Sequence, residues 1–430
     1  MKLAHLAEHV APFGRESAAA IALSELPLAQ RGMGHDVFVV ATAPNPSTAA
    51  FESSSRFARR LDPLTVSDAD GELTVELLEG TLQGSGIRLY LLALPEGVDR
   101  RTSLGRAALA LLRSLPDRPD VIHLHDATGA NVDRLREELD GLAVVQSVYD
   151  PRVTETSLID AVRDADCVLT PCSGFSSTAD SDGDSALGEL LRELAPNVVA
   201  HGIDVQRWDP QRDKHLEQAY APDAPGGKHA CRLALQRQLE LPPREDLPLV
   251  TVWSRGGPDS GLELLGSLAE DLAQLELQLV ILRPAGVDSE DPVLTAFANH
   301  PKARVVQETG EATLRRVLGG CDAVVLPDRV APLGRRARIA LRYGLVPVAR
   351  RVHAHRDLLV EYDALSNTGG AFLFDEPEQV ELYAAMDRMR RTFHDRDAWQ
   401  SLLRVNACLD FGWSRAMAQL DEIYRKALAK

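Results

Sequence analysis

The sequence predicts an α/β fold of two doubly wound parallel domains. Three observations carry this: short apolar runs alternate with longer helical patterns, the alternation occurs twice, and a proline-rich break separates the two series. The first strand candidates are KLAHLAEHV, DVFVVAT, IRLYLLAL, DVIHLH, LAVVQSVY, CVLTP and NVVAHG. Between them, SAAAIALSELPLAQRG and RAALALLRSLP repeat apolar residues every three to four positions, the period of a helix with one buried face. The second series is LPLVTVW, LQLVILRP, ARVVQE, AVVLP, VPVARR and AFLFD, alternating with GLELLGSLAEDLAQL, TLRRVLGGC and RRARIALRYG. LELPPREDLP, from Leu239 to Pro248, ends any helix, because proline also biases its predecessor away from the α region. It is the expected boundary between a first domain at 1–240 and a second at 246–409. The tail is helical with a break at Asp410 to Trp413, so 410–430 is expected to pack back on the first domain.

Composition narrows the class. A chain of 430 residues, 45% hydrophobic and 26% charged, suits two cores of roughly 200 residues. A net charge of −16 repels polyanions, which argues against nucleic-acid binding. Cys167, Cys172, Cys231, Cys321 and Cys408 are scattered with no C-x-x-C pair, so they read as reduced thiols. No metal and no other cofactor is expected. MKLAHLAEHV is too short and interrupted for a signal peptide, and no apolar run reaches the ~18 residues a membrane span needs. The expectation is a soluble, cytoplasmic protein without a membrane partner.

A series of landmarks then runs the length of the chain. They are HVAPF with GHDV (Gly34 to Val37), DVIHLHD (Asp120 to Asp126), HGIDVQRWDPQRDKHLEQAY (His201 to Tyr220), GKHACRLALQRQLELP, SRGGPDSGLELL, GGCDAVVLPDRVAPLG, ALRYGLVPVARR and DFGW. In this order they resemble bacterial glycogen synthases and plant starch synthases. Those are retaining glucosyltransferases of the GT-B fold, two Rossmann-like domains facing a cleft. The resemblance implies ADP-glucose or UDP-glucose as donor and an α-glucan as acceptor.

Such a transfer needs positive charge around the departing diphosphate and donors on the glucose hydroxyls. Against the family's pattern, a first-domain lysine is Arg15 and the two glycines after it are Ser17 and Ala18. Arg15 keeps the charge without the close backbone approach of glycine. In SRGGPDSG the family's arginine persists as Arg255, but its lysine is Ser260, and Asp259 adds negative charge. In PDRVAPLGRR the glutamate that meets the donor sugar is Ala331, which can neither accept a side-chain hydrogen bond nor carry charge. Arg335, Arg336 and Arg338 follow, either as a new anion site or as an ordinary basic helix face.

The glycine pair that offers amides to the distal phosphate is replaced within Val352-His353-Ala354-His355-Arg356-Asp357. His353, His355 and Asp357 also invite a metal reading, which surface or interdomain hydrogen bonding outweighs. The first-domain histidine that donates to the sugar is Gln146, followed by Ser147. His123, His125 and Asp126 either satisfy one another at a strand end or face a ligand; His125 and Asp126 stand as ligand-binding candidates beside Arg15, Arg255 and Arg335. The loop after Tyr149 is abbreviated. Asp180 to Ser185 resembles a calcium loop but lacks its glycine and final glutamate, so it reads as a solvated turn. Trp253, Trp399 and Trp413 read as core.

No catalytic residue can therefore be named with the family's chemistry. One reading is a pseudoenzyme that binds a sugar nucleotide, an α-glucan or a protein partner without standard glucosyl transfer. The alternative is an active retaining hexosyltransferase with altered site residues. A purely structural subunit is a third, which no heptad repeat or apolar stripe favours.

Overall fold

Alternating strands and helices assemble into two parallel sheets in a computed structural model. It describes the chain apart from residues 12–16, 44–58, 69–70, 83–84, 127, 129–131, 154, 177–184, 222–225, 267, 272–274, 285–286, 289–290, 299 and 309. The first sheet holds β1 (Lys2–Ala7), β2 (Asp36–Thr42), β3 (Arg59–Arg60), β4 (Leu64–Asp68), β5 (Gly71–Thr81), β6 (Arg88–Ala93), β7 (Val121–His125), β8 (Ala143–Ser147), β9 (Cys167–Thr170) and β10 (Asn197–Val198). Its parallel part runs β10-β9-β8-β7-β1-β2-β6, and β5, with β3 and β4, extends it in the antiparallel sense.

The second sheet holds β11 (Leu249–Trp253), β12 (Gln278–Arg283), β13 (Ala303–Gln307), β14 (Ala323–Leu326), β15 (Val346–Arg350) and β16 (Phe372–Phe374). Its order is β13-β12-β11-β14-β15-β16, parallel throughout. That is the doubly wound order in which the chain starts centrally and reverses direction once. Strands buried on both faces need continuous apolar runs, and β11 and β14 are buried at every position. β4 and β5 were not among the strand candidates. In β5 the buried Leu73, Val75 and Leu77 alternate with exposed Glu72, Thr74 and Glu76, the pattern of a strand wet on one face.

The chain divides into one unit of Met1–Gly202 with Trp413–Lys430 and another of Ile203–Gly412. This places the division at Gly202, ahead of the expected Leu239 to Pro248. The reason is packing: Ile203, Trp208, Leu235 and Leu241 share a buried cluster with Leu249, Val317 and Leu341 of the second unit. The prolines end a helix without ending a domain. Helix Gly226–Gln238 lies close along helix Glu311–Gly320, where a Cβ on Gly320 would stand 2.8 Å from the Leu235 side chain. The last helix, Ser414–Leu428, buries Met417, Leu420, Ile423 and Tyr424 with Leu3, Val121 and Val145 of the first sheet. Among the described residues no helix is long and apolar enough to cross a membrane.

Lys228 joins the helices of the second unit. Its buried Nζ donates to the carbonyls of Leu318 (3.2 Å), Gly319 (3.3 Å) and Tyr343 (2.9 Å). These oxygens close helices Glu311–Gly320 and Arg335–Arg342, where carbonyls lack intrahelical donors and the dipole favours a cation. Burial lowers the Lys228 pKa to about 8, which leaves the ammonium charged at neutral pH. Lys228→Met is expected to cost about 2–3 kcal/mol, seen as a lower urea midpoint with an unchanged slope.

Candidate functional site

In open parallel sheets, ligands sit beyond the carboxyl ends of the strands where the order reverses. Here those points lie between β1 and β7 in the first unit and between β11 and β14 in the second. Asp126 follows β7, Gln146 lies near the end of β8, Arg255 follows β11, and Asp328 to Ala331 follow β14. Arg15 lies outside the described residues, as do Asp180 to Asp184 of the acidic turn. Just after Arg15, Ser17 caps helix Ala18–Gly32, its Oγ accepting from Ala20 N at 3.1 Å. A helix-start amide of the kind that binds phosphate is therefore taken by the chain's own hydroxyl.

The second unit is organised by Asp328, which the sequence reading missed. Only 2% exposed, it accepts from Arg255 N at 2.8 Å through Oδ1 and from Arg336 Nη1 at 3.2 Å through Oδ2. Burial raises its pKa above the usual carboxylate range, opposed first by the Arg336 charge. Gly261 locks the adjoining loop. At φ +66° it approaches Pro327 so closely that a Cβ would stand 2.0 Å from the Pro327 carbonyl oxygen. Ser260 is buried, and its carbonyl accepts from Ser254 Oγ at 2.5 Å.

The three arginines after Gly334 do not gather into an anion site. Arg336 pairs with Asp328, Arg338 is buried and donates to Leu333 O, and Arg335 stacks 5.5 Å above the Trp208 ring. Arg335, expected to meet a ligand, lies against Trp208, because helix geometry sends successive side chains about 100° apart. Arg255 differs. Its half-buried guanidinium adds to the positive field at Asp328 without an ion pair among the described residues.

Ala331 is enclosed by the segment at Val352 to Asp357. Its N–H donates to His353 Nδ1 at 3.1 Å, and its carbonyl accepts from Ala354 N at 3.1 Å. His353 is buried with φ +48°, a region that costs a non-glycine residue about 1–3 kcal/mol. His355 donates through Nδ1 to Arg350 O at 3.1 Å, and burial lowers its pKa to about 4. With Asp357 these histidines form no convergent donor set among the described residues.

In the first unit a polar cluster lies within the apolar interior. His5 and His123 are register partners on β1 and β7, and His125 lies two residues further on, so all three share one face. His5 Nδ1 meets His125 Nε2 at 2.9 Å, and His5 Nε2 meets Gln30 Oε1 at 2.7 Å. His125 Nδ1 meets Tyr149 OH at 3.1 Å; His123 bonds Tyr424 OH at 2.8 Å and Ser147 Oγ at 2.7 Å. Gln30 Nε2 donates to Tyr424 OH at 2.8 Å, closing the network onto the last helix. One nitrogen of each histidine lies within 4.8 Å of the other two, near enough to share a cation, though here each ring is hydrogen-bonded at both nitrogens. His125, expected at a ligand face, is instead 1% exposed with both nitrogens engaged inside the unit.

Asp126 ends this core in a left-handed conformation, φ +52°. It is half-buried, and its Oδ1 accepts from Tyr149 N at 2.7 Å. Burial raises its pKa to about 7, with a lesser push from the Asp150 charge. Gln146 turns its amide nitrogen to backbone, donating to Ser147 O at 2.8 Å and Asp126 O at 3.3 Å. Its buried Oε1 has no partner among the described residues.

Two outcomes follow for the histidine network. Tyr424→Phe removes an oxygen shared by Gln30 and His123 and is expected to cost about 1–3 kcal/mol in chemical denaturation. For pH, burial lowers His5 and His355 to about 4 and His123 and His125 well below 6.5. Unfolded histidines then bind more protons, so their contribution is complete above about pH 6.5 and lost as pH falls towards 4. Asp126 and Asp328, raised in the folded state, act in the opposite sense as pH falls. Four imidazoles outweigh two carboxyls, each uncancelled proton being worth about 1.4 kcal/mol per pH unit. The urea midpoint is therefore expected to fall between pH 7 and pH 5.

Comparison with known proteins follows the same lines. Residues 2–148 match the family described as starch synthase catalytic domain. The chain is 30% identical to a glycogen synthase of Anaeromyxobacter sp. (strain Fw109-5) over 483 residues, covering 100% of both chains. It is 27% identical to a glycogen synthase of Geotalea daltonii over 482 residues, covering 100% of this chain and 99% of that one. Aligned lengths beyond this chain's 430 residues mean that both relatives carry segments it lacks. Among solved structures, the catalytic domain of starch synthase IV from Arabidopsis thaliana, bound to ADP and acarbose, superposes with a TM-score of 0.84. It is 20% identical and covers 100% of this chain and 99% of that chain. Sucrose-phosphate synthase from Thermosynechococcus elongatus gives a TM-score of 0.62 at 15% identity, covering 100% and 99%.

Proposed function

Because this chain belongs to the glycogen synthase family, we propose that it is a pseudoenzyme of that family. In this reading it binds a nucleotide sugar, an α-glucan or a protein partner without standard glucosyl transfer. The observation that carries the reading is internal satisfaction of groups that a diphosphate sugar needs. Ala331 N–H is held by His353, Ala20 N–H by Ser17, and the Arg336 guanidinium by Asp328. An anion would have to displace these partners, and losing the one charge-assisted bond among them, Arg336 to buried Asp328, costs about 1.5–3 kcal/mol. Ala331 and Ser260 meanwhile supply neither carboxylate nor cation.

Two features favour the second reading, an active retaining hexosyltransferase with altered chemistry. The Arg255 guanidinium remains available to a phosphate, and Asp126, with a pKa near 7, can hold or release a proton at neutral pH. Thermal shift with ADP-glucose, UDP-glucose and ADP, followed by nucleotide release with a glucan primer, separates the two. The expected outcome is a shift with the fitting ligand, worth about 2.7 kcal/mol at a hundred times its Kd, without donor-dependent release. Release above the no-primer control that Arg255→Ala abolishes would select the transferase instead.

A further inference from the structure

The second unit carries a cavity that plays no part in the site above. It measures about 380 Å³ and opens between helix Gly226–Gln238, helix Glu311–Gly320 and the segment at His215 to Glu217. Small-molecule sites occupy about 300–1,000 Å³. Leu216, Leu235 and the buried Cys231 line its apolar part. Leu216 rests against Gly319, where a Cβ would stand 2.4 Å from Leu216 Cδ2, so bare backbone is what lets the segment seat over the helix. Cys231 is turned inward, its Sγ donating to Gln218 O at 3.2 Å.

The lining also carries charge. Arg237 and Arg316 both face the cavity, and neither guanidinium has an ion pair or hydrogen bond among the described residues. Their neighbours are engaged: Arg315 pairs with Asp213 and Glu311, and Arg232 with Asp322. In a protein of net charge −16, two unneutralised guanidiniums beside one concavity make a local positive field suited to a dianion. Glu217 and Gln238 complete the polar lining with a carboxylate and an amide, groups that bond hydroxyls.

We propose that this cavity binds a small phosphate ester of a polyol. Arg237 and Arg316 take the phosphate, Glu217 and Gln238 the hydroxyls, and Leu216 and Leu235 the carbon skeleton. The test is calorimetric titration of the full chain with glycerol 3-phosphate and a hexose 6-phosphate, with inorganic phosphate in parallel. Saturable binding of one ester per chain is expected, weakened about tenfold or more by Arg237→Ala or Arg316→Ala and retained in Arg255→Ala. Because both arginines are exposed and unpaired, the variants should keep the wild-type circular dichroism and melting temperature. The proposal is overturned if neither ester binds at millimolar concentration, if Arg237→Ala and Arg316→Ala leave binding intact, or if inorganic phosphate binds as tightly as the esters. Binding lost in Arg255→Ala alone would also overturn it, by placing the ester at the β11 loop, a result that leaves the proposed family function standing.

Discussion

A carboxylate buried beyond the end of a parallel strand has to be satisfied by the chain or by something the chain binds, and Asp328 is satisfied by the chain. Through Arg255 N and Arg336 it joins the loop after β11 to the loop and helix after β14. Much of the second unit's site follows. Arg336 is held inward, Arg335 and Arg338 leave in other directions, and Gly261 brings the first loop onto Pro327. The charge of Arg336 in these loops is cancelled internally.

Ala331 and His353 make the same point with a main-chain donor and a side-chain acceptor. The main-chain N–H at Ala331 meets an acceptor, His353 Nδ1, that a glycine could not supply. The positive φ of His353 is sustained by its surroundings, which supply a bond that glycine would not.

The first unit shows a different constraint: where neutral polar groups pair in a chain inside a sheet, as the three histidines do, their donor and acceptor directions must agree. Gln30 sets the direction. Its Oε1 only accepts, so His5 carries its proton on Nε2 and, neutral through burial, accepts at Nδ1 from His125 Nε2. Tyr149 then donates to His125 Nδ1. On the other branch Gln30 Nε2 donates to Tyr424, Tyr424 to His123 Nδ1, and His123 Nε2 to Ser147 Oγ. This tautomer pattern rests on the orientation of one amide, and it ties the last helix to the strands beneath Asp126.

Periodicity alone made the two parallel sheets legible, since strands buried on both faces must be written as apolar runs and β11, β12 and β14 are. The same rule hid β4 and β5, whose alternating pattern marks a strand wet on one side. Ser260, Ala331 and Gln146 could be singled out because their side-chain chemistry departs from that of the family at countable positions, and Arg255 because it keeps it. Their partners could not. Asp328 with Arg336, Ala331 with His353, and His5 with His125 are separated by 8, 22 and 120 residues, and each meeting depends on loop course or strand register. The domain division moved for a similar reason: prolines at Pro242 and Pro243 end a helix locally, while membership of a domain is decided by which core Leu235 and Trp208 fill. Local patterning thus determined the elements and the missing groups, and only the tertiary structure decided which remaining charges were already neutralised, because burial and pairing are properties of residues brought together by folding.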